Sequence, residues 1–308
     1  MKEAKNYYIY NREEWREMQT IPFDIQITEE DIERVVSVND VLRMRDVKEI
    51  YLPIIQVLSI YLRHYQERQQ ELRVKLNRTN GRTPYIIGVS GSVAVGKSTF
   101  SRLLKELLSQ VYGHLKVQLI TTDGFLYPNE ILKEKGLSER KGFPESYDMD
   151  RLVSFLADVK NGESDIAVPK YSHQKYDIIP DEFYMIDQPD ILIVEGINVL
   201  QLQGSDLIFA SDFFDFSFYI DAEPKNIKRW YLERFKMFLS LAKDQPADYY
   251  HDMNKMDDQE AMENARYIWE NINLKNLYEF IMPTRSRAEM IIHKSYNHYI
   301  DKILIRKF

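Results

Sequence analysis

Eight residues constrain this 308-residue chain more than any others: Gly91-Ser92-Val93-Ala94-Val95-Gly96-Lys97-Ser98. They match G-x-x-x-x-G-K-[ST] in full, and their setting fits the motif. An apolar run, Pro84–Ser90, reads as a buried strand before them. Phe100, Leu103, Leu104, Leu107, Leu108 and Val111 follow at helical spacing over Lys97–Val111. The residue types state the chemistry. Gly91 and Gly96 let the backbone curl until successive N–H groups point inward at phosphate oxygens. The helix starting near Lys97 adds the positive end of its dipole. Lys97 suits the β- and γ-phosphates of a nucleoside triphosphate, and Ser98 suits Mg2+. The motif does not say which acceptor receives the phosphoryl group.

Further strand patterns occur at Lys116–Thr122, Asp190–Glu195 and Phe216–Asp221, with weaker ones at Ala288–His293 and Lys302–Ile305. Helical patterns lie between several of them. This alternation predicts an α/β fold of the P-loop NTPase type, with a mostly parallel sheet and helices on both faces. Ligands then bind at the carboxyl ends of the strands, where Ser90, Asp123, Glu195 and Asp221 stand. Residues 1–80 read as a preceding helical segment. Thr28 caps a short helix before Ile32 and Val35, and Pro53 opens a longer one. Ile54, Ile55, Leu58, Tyr61, Leu62 and Tyr65 fall on its apolar face.

Composition narrows the function. Lys and Arg total 41 against 48 Asp and Glu, a net charge of −7, which argues against nucleic acid as partner. No cysteine is present, so thiol chemistry and thiolate metal sites are excluded. No run of 18 apolar residues occurs, and the charged N-terminus lacks the apolar stretch of a secretory signal. The expectation is a soluble cytoplasmic protein with no membrane partner, in which the sequon Asn77-Arg78-Thr79 is without consequence.

Several side chains are candidates beside the loop. Asp123 can accept the proton of an attacking hydroxyl, or cap a turn at a strand end. Glu195 reads either as a Walker-B-type acid near the metal or as a structural turn carboxylate. Arg229 and Arg234 are five apart and do not share a helix face; Arg234 is favoured as the phosphate contact. Arg285 and Arg287 are phosphate candidates or solvated surface. Asn254-Lys255-Met256-Asp257 spells the guanine-reading N-K-x-D, but no apolar strand precedes it. His293 and His298 have no metal-binding spacing.

The chain resembles bacterial type I pantothenate kinase over nearly its whole length. The resemblance rests on Glu49–Pro53, Gly91–Thr99, Ile120–Leu126, Lys141–Asp148, Tyr171–His173, Gln188–Gly196, Trp230–Phe235 and Pro283–Arg285. It implies ATP-dependent phosphorylation of the 4′-hydroxyl of pantothenate, the first committed step toward coenzyme A. It implies Lys97 and Ser98 at phosphate and metal, Asp123 as base, and Tyr171, His173, Tyr231, Arg234 and Asn273 on the acceptor side. It also implies a homodimer inhibited by coenzyme A, with Arg102 and His173 meeting the inhibitor and Phe235 and Phe238 walling its thiol end. Lys243 and Tyr250 stand where that resemblance expects phenylalanine, which bears on the strength of feedback. A single kinase domain over 1–308 is expected, with a P-loop core over 84–308 and a helical lid around 223–280. Uridine kinase and phosphoribulokinase share the fold and are the alternative within the class; a panel of acceptors separates them.

Overall fold

A computed structural model describes residues 3–18, 25–77, 83–202, 208–246, 248–251, 253 and 256–308. Its centre is a seven-stranded sheet in the order β1-β9-β8-β7-β2-β6-β3. The strands are β1 (Tyr7–Asn11), β2 (Tyr85–Gly91), β3 (Val117–Thr121), β6 (Ile191–Glu195), β7 (Phe216–Ala222), β8 (Met290–Lys294) and β9 (Ile300–Arg306). The five from β3 to β8 pair in parallel, whereas β9 and β1 add antiparallel strands at one edge. Every residue of β2 and β6 is buried, as a central strand covered on both faces requires. Five helices frame the sheet and the site: α1 (Leu52–Lys75), α2 (Lys97–Val111), α3 (Met149–Asn161), α4 (Pro224–Ala242) and α5 (Asp258–Ile268). No described helix is long and apolar enough to cross a membrane.

The N-terminal segment is largely helical, with one exception. Thr28 caps Glu29–Val35 through a reciprocal bond with Asp31, and Pro53 stands in the first turn of α1. Leu52, Ile54, Ile55, Leu58, Leu62 and Tyr65 are buried, while Tyr61 sits at the margin with 38% exposure. Tyr7–Asn11, by contrast, is a strand paired with β9. Its Tyr-Tyr-Ile-Tyr composition favours a pleated surface, and an open sheet edge supplies the partner.

A second departure is a hairpin of β4 (Ile166–Ser172) and β5 (Asp177–Ile186), which forms its own two-stranded sheet. The register slips between Pro169 and Tyr171, where proline cannot donate to the ladder. Tyr171 therefore lies on a strand and His173 in the turn that follows. Residues 78–82, 254 and 255 lie outside the described residues; the sequon and the Asn254-Lys255 half of the N-K-x-D match therefore receive no structural description.

The edge strand is anchored by charge. Arg12 is buried between Asp46, at 2.8 Å, and Glu49, at 2.7 Å, just before the long helix begins. Glu49 also meets Arg45 at 2.8 Å and Arg16 at 3.5 Å. Removing Arg12 strips both carboxylates of their one buried cation. Arg12→Ala should lower the unfolding free energy by about 3 kcal/mol, whereas Arg16→Ala, at an exposed side chain, should cost about 0.5 kcal/mol. Urea titrations of the two variants check this, and equal midpoints would overturn it.

Candidate active site

Three neighbouring strands end together and assemble the site. In the parallel register Val89 faces Glu195 and Glu195 faces Thr121, so β2, β6 and β3 terminate side by side. The phosphate loop leaves β2, Glu195 closes β6, and Asp123 lies on the turn Thr122–Phe125 just beyond β3. Gly196 and Gly124 permit the crowding. A Cβ on Gly196 would overlap the Thr122 side chain, and one on Gly124 would overlap the Pro169 carbonyl.

The loop has the expected geometry. Gly96, directly before α2, is left-handed with φ 93° and ψ 28°. Lys97 is buried and its Nζ donates to the Ser92 carbonyl at 2.9 Å. Burial pushes its ammonium pKa down, against the supporting charges of Glu195 and Asp123. Ser98 Oγ donates to Glu195 Oε1 at 3.0 Å. Burial raises the Glu195 carboxyl above its ordinary range, opposed by Lys97. A hydroxyl and a carboxylate in direct contact make a hard oxygen donor pair, which fits Mg2+ carried mainly by phosphate and water. Among the described residues, no group of three His, Asp or Glu could hold a metal without such help.

The arginines divide. Arg234, on α4, lines a narrow cleft with Ala94, Gly96, Lys97 and Ser98, and its charge acts on Lys97 and His173. Arg102 Nε donates to the Ser98 carbonyl at 3.2 Å, and its guanidinium also meets Ser37. Arg229 instead lies over the Tyr296 ring at 3.9 Å and beside Glu233. Arg285 pairs with Asp221 at 2.7 Å. Arg287 meets Ser211 near Ser217 and Glu289, at the amino ends of β7 and β8, away from the loop. Helical phase on α4 selects Arg234, and the sheet's polarity removes Arg287.

A second wall lies within reach of the Asp123 charge. Tyr171 and His173 meet edge to face at 5.3 Å, and Tyr171 stands 6.4 Å from Tyr176. Lys141 Nζ lies 4.3 Å over the Tyr176 ring and 5.2 Å over Tyr171. Burial lowers its pKa to about 8, opposed by Asp177 and Asp123. Burial also raises the phenols of Tyr171, Tyr176 and Tyr231, and lowers His173. Tyr231 shares a hydrogen bond with Asn273 and packs 5.6 Å from Trp269. Phe235 and Phe238 both meet Tyr250, edge-on at 5.7 Å and stacked at 5.2 Å. Tyr250 thus keeps an aromatic ring in this wall, whereas Lys243 is exposed.

Some residues at the site escaped the sequence reading. Lys141 and Tyr176 lie in a motif and a turn that gave no sign of converging. Asp40, from the N-terminal segment, is buried behind the loop with Lys294 at 3.1 Å and His298 Nδ1 at 2.9 Å. Burial would raise its carboxyl, but Lys294 and the hydrogen-bonding neighbours hold it well below the usual range. A Cβ on Gly96 would overlap both Lys294 and Asp40, so this glycine is required by packing as well as by φ. The His298 ring stacks on Trp230 at 4.0 Å.

Comparison with known proteins agrees with this geometry. The pattern of the phosphoribulokinase / uridine kinase family matches residues 86–234. Pantothenate kinase of Latilactobacillus sakei is 50% identical over the full length of both chains. Pantothenate kinases of Enterococcus faecalis and Levilactobacillus brevis are each 47% identical, again over both full lengths. Among solved structures, D-glycerate 3-kinase from Cryptococcus neoformans shares the fold, with TM-score 0.52 and 15% identity over 80% of this chain and 97% of that one.

The half-buried Lys141 gives the site a measurable signature. In 13C-methylated protein, one lysine resonance should titrate with a midpoint near 8 and be missing from Lys141→Arg. A Lys141 midpoint above about 10, the ordinary lysine range, would show that the ammonium is solvated.

Proposed function

We propose a mechanism from the premise that this chain belongs to the pantothenate kinase family: it transfers the γ-phosphoryl group of ATP to the 4′-hydroxyl of pantothenate, opening coenzyme A synthesis. The observation that supports the mechanism is that the Asp123 charge acts both on Lys97 of the loop and on Lys141, Tyr171 and His173. Backbone N–H groups of Gly91–Ser98 cradle the phosphates. Lys97 and Arg234 stabilise charge on the transferring group. Ser98 and Glu195 would hold Mg2+, which neutralises charge on the β- and γ-phosphate oxygens.

Asp123 accepts a hydrogen bond from the acceptor hydroxyl, orients its lone pair, and takes the proton as the new P–O bond forms. The phosphoryl transition state is loose, so orientation matters more than early deprotonation. Tyr231 and Asn273 offer donors to the pantothenate carboxylate. Because burial raises the phenols, the tyrosines remain O–H donors at neutral pH. Tyr171, His173, Tyr176 and Lys141 line the path between that end and the reacting hydroxyl.

Coupled ADP release with and without pantothenate tests the reaction; equal release in both arms would refute a pantothenate acceptor. Asp123→Asn should lower kcat by about 10²–10⁴-fold with nucleotide affinity little changed. If it weakens only nucleotide or Mg2+ binding, the carboxylate belongs to the metal side and Glu195 is the next base to test.

Regulation and assembly extend the reading. Arg102 and His173 beside the loop, with the wall of Phe235, Phe238 and Tyr250, support coenzyme A as an inhibitor competing with ATP. Inhibition should therefore appear at low ATP and fade as ATP is raised; its absence at millimolar coenzyme A would mean that the altered wall has lost feedback. A cytoplasmic homodimer fits a chain whose α1 leaves Ile60, Leu72 and Val74 exposed. Sedimentation that finds only monomer would exclude the dimer.

A further inference from the structure

Resting on the reading that pantothenate lies along the Tyr171–Tyr176 wall, we infer that Tyr249 is a positioning residue for the acceptor. It acts through Tyr176, by locking the turn between β4 and β5 against the connector between α4 and α5. Two segments far apart in the chain meet here. The Tyr249 N–H donates to the Gln174 carbonyl at 2.6 Å, and its ring stacks on Tyr176 with centroids 4.6 Å apart and planes 22° from parallel. Tyr249 also meets the adjacent Tyr250 ring edge-on at 5.2 Å, and Tyr250 stacks on Phe238 of α4. An aromatic column therefore runs from the acceptor wall to the lid helix.

Tyr176 needs such a lock. Its φ is +51°, a left-handed conformation that a bulky L-residue adopts at a cost. Contacts to both its carbonyl and its ring hold it. Lys141 Nζ and Asn129 Nδ2 both donate to its carbonyl, the second at 3.1 Å, and the Tyr249 ring covers its face. The stacked pair corresponds to a factor of about 2–10 in an equilibrium and the left-handed strain to about 5–150, so the strain is at least as large as the stack that offsets it. Removing the ring tips that balance. The turn then relaxes, and Lys141, Tyr171 and His173, which pack on or next to it, lose their alignment toward the acceptor. The phosphate loop, on β2 and α2, touches none of these contacts.

Tyr249 is 41% exposed, so truncating it leaves no sealed cavity and the variant should fold. Tyr249→Ala is expected to raise KM for pantothenate by about 3- to 10-fold and leave KM for ATP within about twofold. Tyr249→Phe, which keeps the stack, should stay within about twofold of the native chain for both substrates. A second readout follows Lys141, which lies over the Tyr176 ring: its resonance midpoint near 8 should rise in Tyr249→Ala as Tyr176 shifts away from it, and should stay in place in Tyr249→Phe. Three results would each overturn the inference: Tyr249→Ala with an unchanged pantothenate KM, a KM for ATP that rises as much as that for pantothenate, or Tyr249→Phe as impaired as Tyr249→Ala. A native chain that releases no ADP in response to pantothenate would instead strike at the proposed reaction, which the same assay reports separately.

Discussion

The parallel register of β3, β6 and β2 is the constraint on which the site depends. Val89, Glu195 and Thr121 lie at one level across three strands, so the three segments that follow leave the sheet together. One becomes the phosphate loop, one carries the carboxylate that meets Ser98, and one carries Asp123. Strands of a sheet stand about 4.8 Å apart, which sets the spacing of these groups before any side chain is chosen. A one-residue slip would also turn Glu195 to the other face.

The loop is braced from outside the region shared with the wider kinase family. Residues 86–234 carry the common pattern. Asp40 comes from before it, and Lys294 and His298 come from after it, yet Asp40 and Lys294 are buried against Gly96 and His298 is buried against Asp40. A buried ion pair gives little net stability, but removing either partner leaves an uncompensated charge. The arrangement therefore specifies where the N-terminal segment and the β8–β9 turn must sit. Ser37 reinforces it, its N–H donating to Thr99 Oγ1 at 3.0 Å. The ends of the chain thus take part in shaping the nucleotide side.

The two halves of the site use different chemistry. The nucleotide side is cationic and rich in backbone donors, suited to phosphate. The wall beside it is built from Tyr171, Tyr176, His173 and Lys141, whose pKa burial lowers. Burial raises the phenols, so they remain hydrogen-bond donors. The Asp123 charge acts on both environments, on Lys97 in the loop and on Lys141 and Tyr171 in the wall.

The order of residues along the chain was enough to determine the phosphate loop, the α/β alternation and the core strands, because each is local. The motif spans eight consecutive residues, α2 repeats its apolar positions at helical spacing, and β2 and β6 are unbroken apolar runs. Asp123 and Glu195 were legible because parallel strands bring their carboxyl ends together. Folding decided what depends on distant partners. Tyr7–Asn11 became a strand because β9 offered an open edge, and Tyr171 joined a hairpin through pairing with β5. Arg234 and Arg229 were told apart by how α4 docks, and Arg285 and Arg287 by the carboxylate and hydroxyl that the packed chain set beside them. Asp40 and Lys294 are 254 residues apart, and Tyr249 and Tyr176 are separated by three strands and a helix. Contacts of that kind leave no periodicity in the sequence, since burial and stacking depend on where the chain returns, not on which neighbours it has.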